Sequence, residues 1–290
     1  MKKYISLFLA VLMLLSLLAG CGGGKTNDGD GTRTLVLRNS AGLSTNDPHA
    51  TTNTHDYTVF ENIYEGLYDL NEATGGYDLR LAEKVEANDD ATEYIVTLKQ
   101  GVKFHNGETM TADDVVFSYA HAQKDAHMGS YCRPLDHVEK VDDYTVKIVM
   151  NQPFSPIGHM LHKVKIMSKK GVEELGNDFG KVPNKVGTGP YMWDENNYNP
   201  LSSWSAVAFE DYHRGKAKIE KITWNVIADD TSAITALQNG EVDYMVVPIS
   251  YWEDIKASDK FNCVEKESNE VMLFCINVES KTHGELLRND

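Results

Sequence analysis

The segment from Glu93 to Val149 constrains this chain most, because it holds two strand patterns and one helix pattern in close succession. Glu93-Tyr94-Ile95-Val96-Thr97-Leu98 and Tyr144-Thr145-Val146-Lys147-Ile148-Val149 alternate polar and apolar residues over much of their length, as half-buried strands do. Between them, Thr111-Ala112-Asp113-Asp114 offers an N-cap acceptor and first-turn acids, which suit the unsatisfied N–H groups and positive end of a helix. Val115, Val116, Tyr119 and Ala120 then supply its apolar stripe. A chain built this way is a mixed α/β protein.

The same logic extends along the body. Thr34-Leu35-Val36-Leu37 reads as a strand that delivers the chain to a turn-rich stretch ending in Asp47-Pro48. Tyr57, Phe60, Tyr64 and Leu67, spaced by three and four, predict one helical face between Tyr57 and Leu67. Asp229-Asp230-Thr231 predicts a second capped helix, with Ala233, Ile234 and Leu237 inward and Gly240 as its stop; a strand is expected next, over Val242 to Val247.

The N-terminus reads as an address rather than as fold. Met1-Lys2-Lys3 precedes an almost unbroken apolar run from Ile5 to Leu18, then Leu18-Ala19-Gly20-Cys21; this is the layout of an export signal over residues 1–20. The run is shorter than the roughly 20 residues of a membrane-spanning helix. Residues 21–33, rich in Gly, Asn, Asp and Thr, have little to pack and are expected to form a flexible tether. Removing residues 1–20 takes away two lysines and no acid, moving the formal charge from −15 to −17. So acidic a surface repels phosphate backbones and argues against nucleic-acid partners.

Motifs for covalent chemistry are missing. The sequence has no G-x-S-x-G elbow, no G-x-x-x-x-G-K-[ST] loop and no H-E-x-x-H helix. Gly187-Thr188-Gly189-Pro190 lacks the helix and lysine of a phosphate cradle and is expected to be a turn with special backbone angles. His159 and His162 stand three apart with no acid at ligand spacing, and His105 sits in a His-Asn-Gly turn where bonding within the loop accounts for it. Asp113 with Asp114, and Asp229 with Asp230, begin helices and are accounted for by capping. No catalytic residue, metal ligand or cofactor is expected. Cys132, Cys263 and Cys275 are odd in number; Cys263 and Cys275 pair only if their strands do, and buried free thiols explain them as well.

Residues 98–118, Leu-Lys-Gln-Gly-Val-Lys-Phe-His-Asn-Gly-Glu-Thr-Met-Thr-Ala-Asp-Asp-Val-Val-Phe-Ser, closely resemble the signature segment of the oligopeptide and dipeptide solute-binding proteins of ABC importers. Val36 to Pro48, Gly187 to Tyr191 and Phe209 to Tyr244 agree with that family in order, so the resemblance spans about residues 34–278. Leu-Ala-Gly-Cys likewise resembles a lipoprotein lipobox, which would place a diacylglycerol on Cys21.

The resemblance implies a periplasmic-binding-protein-like clamshell (type II, peptide-binding class), of which this chain carries the first lobe and an inserted subdomain. Residues 34–68 and 170–262 would form that lobe, 69–169 the insert, and 263–290 a crossing strand, resembling Val271 to Val278, with the start of the second lobe. The chain is thus expected to be cut short and to bind ligand weakly. Carried over residue by residue, Thr52, Asn53 and Thr54 would lie along a bound peptide's backbone, with Tyr131 lining the cleft. The implied function is a lipid-anchored receptor on the extracytoplasmic face of the cell membrane, monomeric when full length, that passes short peptides to an ABC permease. A nickel chelate, haem or glycoside is the alternative ligand, and an extracytoplasmic hydrolase the remote alternative.

Overall fold

The computed structural model describes residues 33–265. The expected features of residues 1–32, including the export signal and Cys21, and of residues 266–290, including Cys275 and the strand from Val271 to Val278, lie outside the described residues. Contacts divide the chain into one unit ending at Val246 and a second beginning at Val247.

Two four-stranded sheets organise the first unit. One joins β1 (Thr34–Asn39), β10 (Lys221–Val226), β9 (Ser203–Ala208) and β8 (Tyr191–Asn199) in that order. Its β1–β10 pair is parallel, with Leu35 opposite Ile222 and Leu37 opposite Trp224; the others are antiparallel. Trp224 pairs directly with Trp204, and both are buried with Trp193, so three indoles fill the core between this sheet and helix α1 (Thr54–Ile63).

The other sheet, β4 (Ala82–Ala87), β5 (Glu93–Leu98), β7 (Thr145–Met150) and β6 (Leu135–Asp142), is antiparallel throughout. Helix α2 (Ala112–Lys124) packs on it through Ala112, Val115, Tyr119 and Ala122, while the buried Ser118 bonds the Met167 main chain and Val116 and Ala120 are half-buried. Its first turn forms as the sequence predicts. Asp114 Oδ2 accepts from the Thr111 N–H at 2.9 Å and from its hydroxyl at 3.2 Å, and Oδ1 accepts from the Lys169 N–H at 2.9 Å, which ties α2 to a later helix. Between the sheets run the hairpin β2 (Tyr68–Asn71) and β3 (Gly76–Leu79), then α3 (Gly158–Lys163) and α4 (Lys169–Leu175). The second sheet's core draws residues from Leu67 to Ile166, and the first sheet's core uses Leu43 to Tyr64 and Met167 to Trp224.

Helix α5 (Asp230–Asn239) also follows its sequence signals: Asp229 Oδ1 accepts from the Ser232 N–H at 2.8 Å, and Gly240 closes it in the left-handed region at φ 75°. The second unit, taken alone, contains a 3₁₀ turn and α6 (Trp252–Lys256), in which Ile255 is buried.

Four local expectations need correction. The helix expected to reach Leu67 ends at Ile63, because Tyr64 is extended (φ −124°, ψ 147°); Tyr64 and Leu67 remain buried without it. The strand expected from Val242 makes one parallel bridge, Leu37 to Tyr244, since the Asp243 carboxylate takes the Val36 N–H at 2.8 Å where a ladder would place a main-chain oxygen. Gly187 and Gly189 are not among the glycines at positive φ. A Cβ on Gly187 would lie 2.2 Å from the Ile63 oxygen, and one on Gly189 2.6 Å from the Asn62 oxygen, so close backbone approach demands glycine at both. His105, finally, bonds across the fold: its N–H donates to the Gly187 oxygen at 2.9 Å, and its Nε2 lies 3.0 Å from the Gly189 oxygen.

Candidate functional site

Thr52, Asn53 and Thr54 form an exposed edge where the loop after β1 enters α1. What holds that edge lies beneath it. The fully buried Asp56 carboxylate accepts from the Ser44 N–H (3.2 Å), the Ser44 hydroxyl and the Thr51 hydroxyl (2.7 Å), so the chain from Ser44 to Thr51 folds over the first turn of α1. The Asn53 N–H donates to Thr51 Oγ1 at 3.0 Å, and its carbonyl accepts from the Asp56 and Tyr57 N–H groups. The main chain of Asn53 is thereby committed to the helix start. Its side-chain amide and the Thr52 and Thr54 hydroxyls make no hydrogen bond among the described residues, and they face solvent.

Tyr131 is half-buried after a 3₁₀ turn at Met128–Ser130, its ring 5.3 Å from that of His159. Tyr57 connects the 3₁₀ turn to the loop: the Tyr57 hydroxyl lies 3.2 Å from the Met128 sulfur and 3.4 Å from the Thr51 oxygen. The Lys163 ammonium sits 4.3 Å from the centre of the Tyr57 ring. Burial pushes the Tyr57 phenol well above its ordinary value, so it stays a neutral hydrogen-bonding group at every working pH. His159 Nδ1 meets the Tyr77 hydroxyl at 3.1 Å, whereas His162 Nε2 is 3.8 Å from Glu61, so the two histidines answer to different partners. In sequence Tyr57 has only a place on a helical face and Lys163 is not marked at all, because only the fold brings α1, α3 and the 128–131 turn together.

Thr54 also borders a cavity of about 600 Å³, walled by Leu35, Leu37, Trp224 and Tyr244 on the sheet side and by His55 and Thr58 of α1 on the other. Behind the loop lies a third group. The Asp47 carboxylate, His49 and His121 bring one ligand-type atom each within 4.8 Å of the others, and burial together with the neighbouring His121 lowers the His49 imidazole to about 3, keeping it neutral. The His49 and His121 positions are 72 residues apart, a distance at which no sequence spacing speaks.

Uncommitted polar side chains beside half-buried aromatics, on an α/β unit whose loop is pinned from below, suit the binding of a polar ligand. Comparison with known proteins agrees. Residues 77–289 match the family described as bacterial extracellular solute-binding proteins, family 5. The chain belongs to that family.

The glutathione-binding protein GsiB of Salmonella paratyphi A is 32% identical over 225 residues, which is 75% of this chain and 42% of that protein. The oligopeptide-binding protein AppA from Bacillus subtilis, solved in complex with a nonapeptide, superposes with a TM-score of 0.71 at 25% identity, over 79% of this chain and 47% of that one. MoaA from A. tumefaciens R10, in complex with mannopinic acid, gives 0.71 at 29% identity over 78% and 48%. The chain thus spans less than half the length of each of these relatives, and the fold is that of peptide-binding periplasmic proteins over about half their extent.

Proposed function

We propose that this chain is the substrate-binding component of an ABC importer, held to the outer face of the cell membrane by a lipid on Cys21, and that it captures short peptides for delivery to the permease. One observation carries the peptide reading: three adjacent polar side chains, Thr52, Asn53 and Thr54, stand uncommitted on a loop fixed by Asp56. An extended peptide presents N–H and C=O groups at regular intervals, and mixed donors and acceptors on a fixed edge bind those groups whatever the side chains are. AppA with its nonapeptide and the glutathione-binding relative, glutathione being a short peptide, support this choice. In this reading Tyr131 is an aromatic lining the ligand cleft.

The two separate cores support an arrangement in which residues 34–68 and 170–262 build one lobe and 69–169 an insert; that 263–290 lead toward a second lobe rests on the family resemblance. The working receptor is a monomer. The mannopinic acid complex of MoaA favours a second reading, a small non-peptide solute at the same edge.

Amide chemical shifts followed while the isotope-labelled chain is titrated with pooled di- to penta-peptides distinguish the two, and they register weak binding. Shifts gathered at residues 51–57 and 128–131 are expected, with Asn53→Ala weakening binding about fivefold, the equivalent of one hydrogen bond of about 1 kcal/mol. Response to a sugar acid and to no peptide would sink the peptide assignment. The anchor has its own test. Cys21→Ser should move the protein from the membrane fraction to the medium, since a lipid and not this acidic surface supplies the membrane affinity; retention of the variant on membranes would remove Cys21 as the anchor.

A further inference from the structure

We propose that Asp47, His49 and His121 form a binding site for a divalent transition-metal ion of the zinc or nickel type, clamping the loop ahead of Thr52 to helix α2. His49 Nδ1 and His121 Nδ1 stand 3.2 Å apart, and with Asp47, whose Oδ2 is 3.5 Å from the other His121 nitrogen, Nε2, one ligand-type atom of each residue lies within 4.8 Å of the other two. Two imidazole nitrogens about 2.0–2.1 Å from one ion at a tetrahedral angle are separated by about 3.3 Å, so the imidazoles already hold ligand spacing. Two nitrogens and one carboxylate oxygen suit Zn²⁺, Ni²⁺ or Co²⁺ and leave a fourth position for water.

The surroundings supply what such a site needs. The Lys165 oxygen lies 3.0 Å from His49 Nε2; a proton on Nε2 donated there turns the Nδ1 lone pair toward His121, the carbonyl support that metal-bound histidines commonly have. The Lys165 N–H lies 3.1 Å from the same Nε2 and would favour the opposite tautomer, in which a proton rather than an ion joins the two rings. Asp47 Oδ1 accepts from the His49 N–H at 2.9 Å, fixing the carboxylate beside its partner imidazole. His49 is completely buried, while the His121 side chain keeps 27% of its surface open between Phe117 and Phe179, so an ion has a way in. Glu61, Asp69 and His162 form a similar cluster, but the Lys165 ammonium is already 2.8 Å from Glu61 and supplies the positive charge there.

The site stands independently of the ligand reading, because metal retention is measured without peptide. The purified chain is equilibrated in separate runs with ZnSO₄ and NiCl₂, desalted, and analysed for metal per chain, with affinity measured by calorimetric titration. One ion per chain is expected for at least one metal, with a melting temperature raised by that metal. His121→Ala, at a partly exposed position, should keep its far-UV dichroism and lose at least the roughly 10–100-fold in affinity that outer-shell changes alone produce. Asp47→Asn should lose affinity too, and Glu61→Gln should bind like the parent. An ion-free parent chain, His121→Ala binding as tightly as the parent, or loss confined to Glu61→Gln overturns the proposal; the first result assigns the imidazole pair to a shared proton.

Discussion

Replacing Glu65 by alanine is expected to remove about 3–5 kcal/mol of stability, the cost of stranding the partners of a buried charge. The Glu65 side chain is 4% exposed. Its carboxylate accepts from the Thr188 hydroxyl at 3.0 Å, the Tyr212 hydroxyl at 2.8 Å and His213 Nε2 at 2.9 Å, with Arg80 Nη1 at 3.5 Å. Burial, reinforced by this carboxylate, pushes the Tyr212 phenol above its ordinary value, so Tyr212 serves as donor and never as a second anion. Alanine would leave three donors facing an apolar void. Arg80 would keep only its pairing with Asp69 and its bond to the Tyr212 oxygen. For a body of this size each kcal/mol moves the midpoint by about 2–4 °C, so thermal melts should show a fall of about 6–20 °C. Glu65→Gln keeps two acceptor lone pairs but not the charge and should fall between the two. A Glu65→Ala variant melting within about 2 °C of the parent would show that the network contributes little.

That network joins pieces that are far apart in sequence, and this is where sequence reading stops. Helices α2 and α5 were legible because a cap, its acids and an apolar stripe lie within a few residues of one another, and local geometry sufficed to form them. β5 and β7 were legible by their alternation. β8 and β9 were not. Ser203 and Ser205 alternate with Trp204 and Ala206, but what fixes the strand is pairing with β10, where Ser203 Oγ reaches the Asn225 side chain at 3.1 Å and Ser205 Oγ reaches Thr223 Oγ1 at 2.9 Å, and no sequence spacing shows that partner. The Gly-Thr-Gly segment reads in sequence as a turn demanding unusual angles; its glycines answer instead to the backbone of α1, which the sequence does not place there. Of the proposed site, Thr52 to Thr54 and Tyr131 rest on the family resemblance. The buried Asp56 beneath the loop and the Tyr57 bridge from that loop to the 3₁₀ turn required coordinates.

Acid should destabilise the fold through His105, which bonds the same glycine segment that Glu65 holds through Thr188. Its ring is almost completely buried against Phe209, with ring centres 4.9 Å apart. Nε2 donates to the Gly189 oxygen at 3.0 Å, and Nδ1 has no partner among the described residues. A second proton would have to enter at Nδ1, where nothing accepts it. Burial therefore lowers this imidazole from 6.5 to about 4, with the Gly189 carbonyl and the Glu65 charge opposing the shift. Because the folded value lies below the unfolded one, the unfolded chain takes up a proton that the native state refuses. The stability is intact above about pH 6.5 and drains away as the pH falls toward 4, by about 3 kcal/mol in all for a difference of this size. His105→Gln removes the titration, while other histidines and the carboxylates titrate alike in both proteins. The parent's melting temperature should accordingly drop about 6–12 °C further than the variant's between pH 6.5 and 4. Parallel pH profiles would mean that His105 reaches water or an acceptor when it is protonated, and that the glycine segment it holds is looser than its contacts imply.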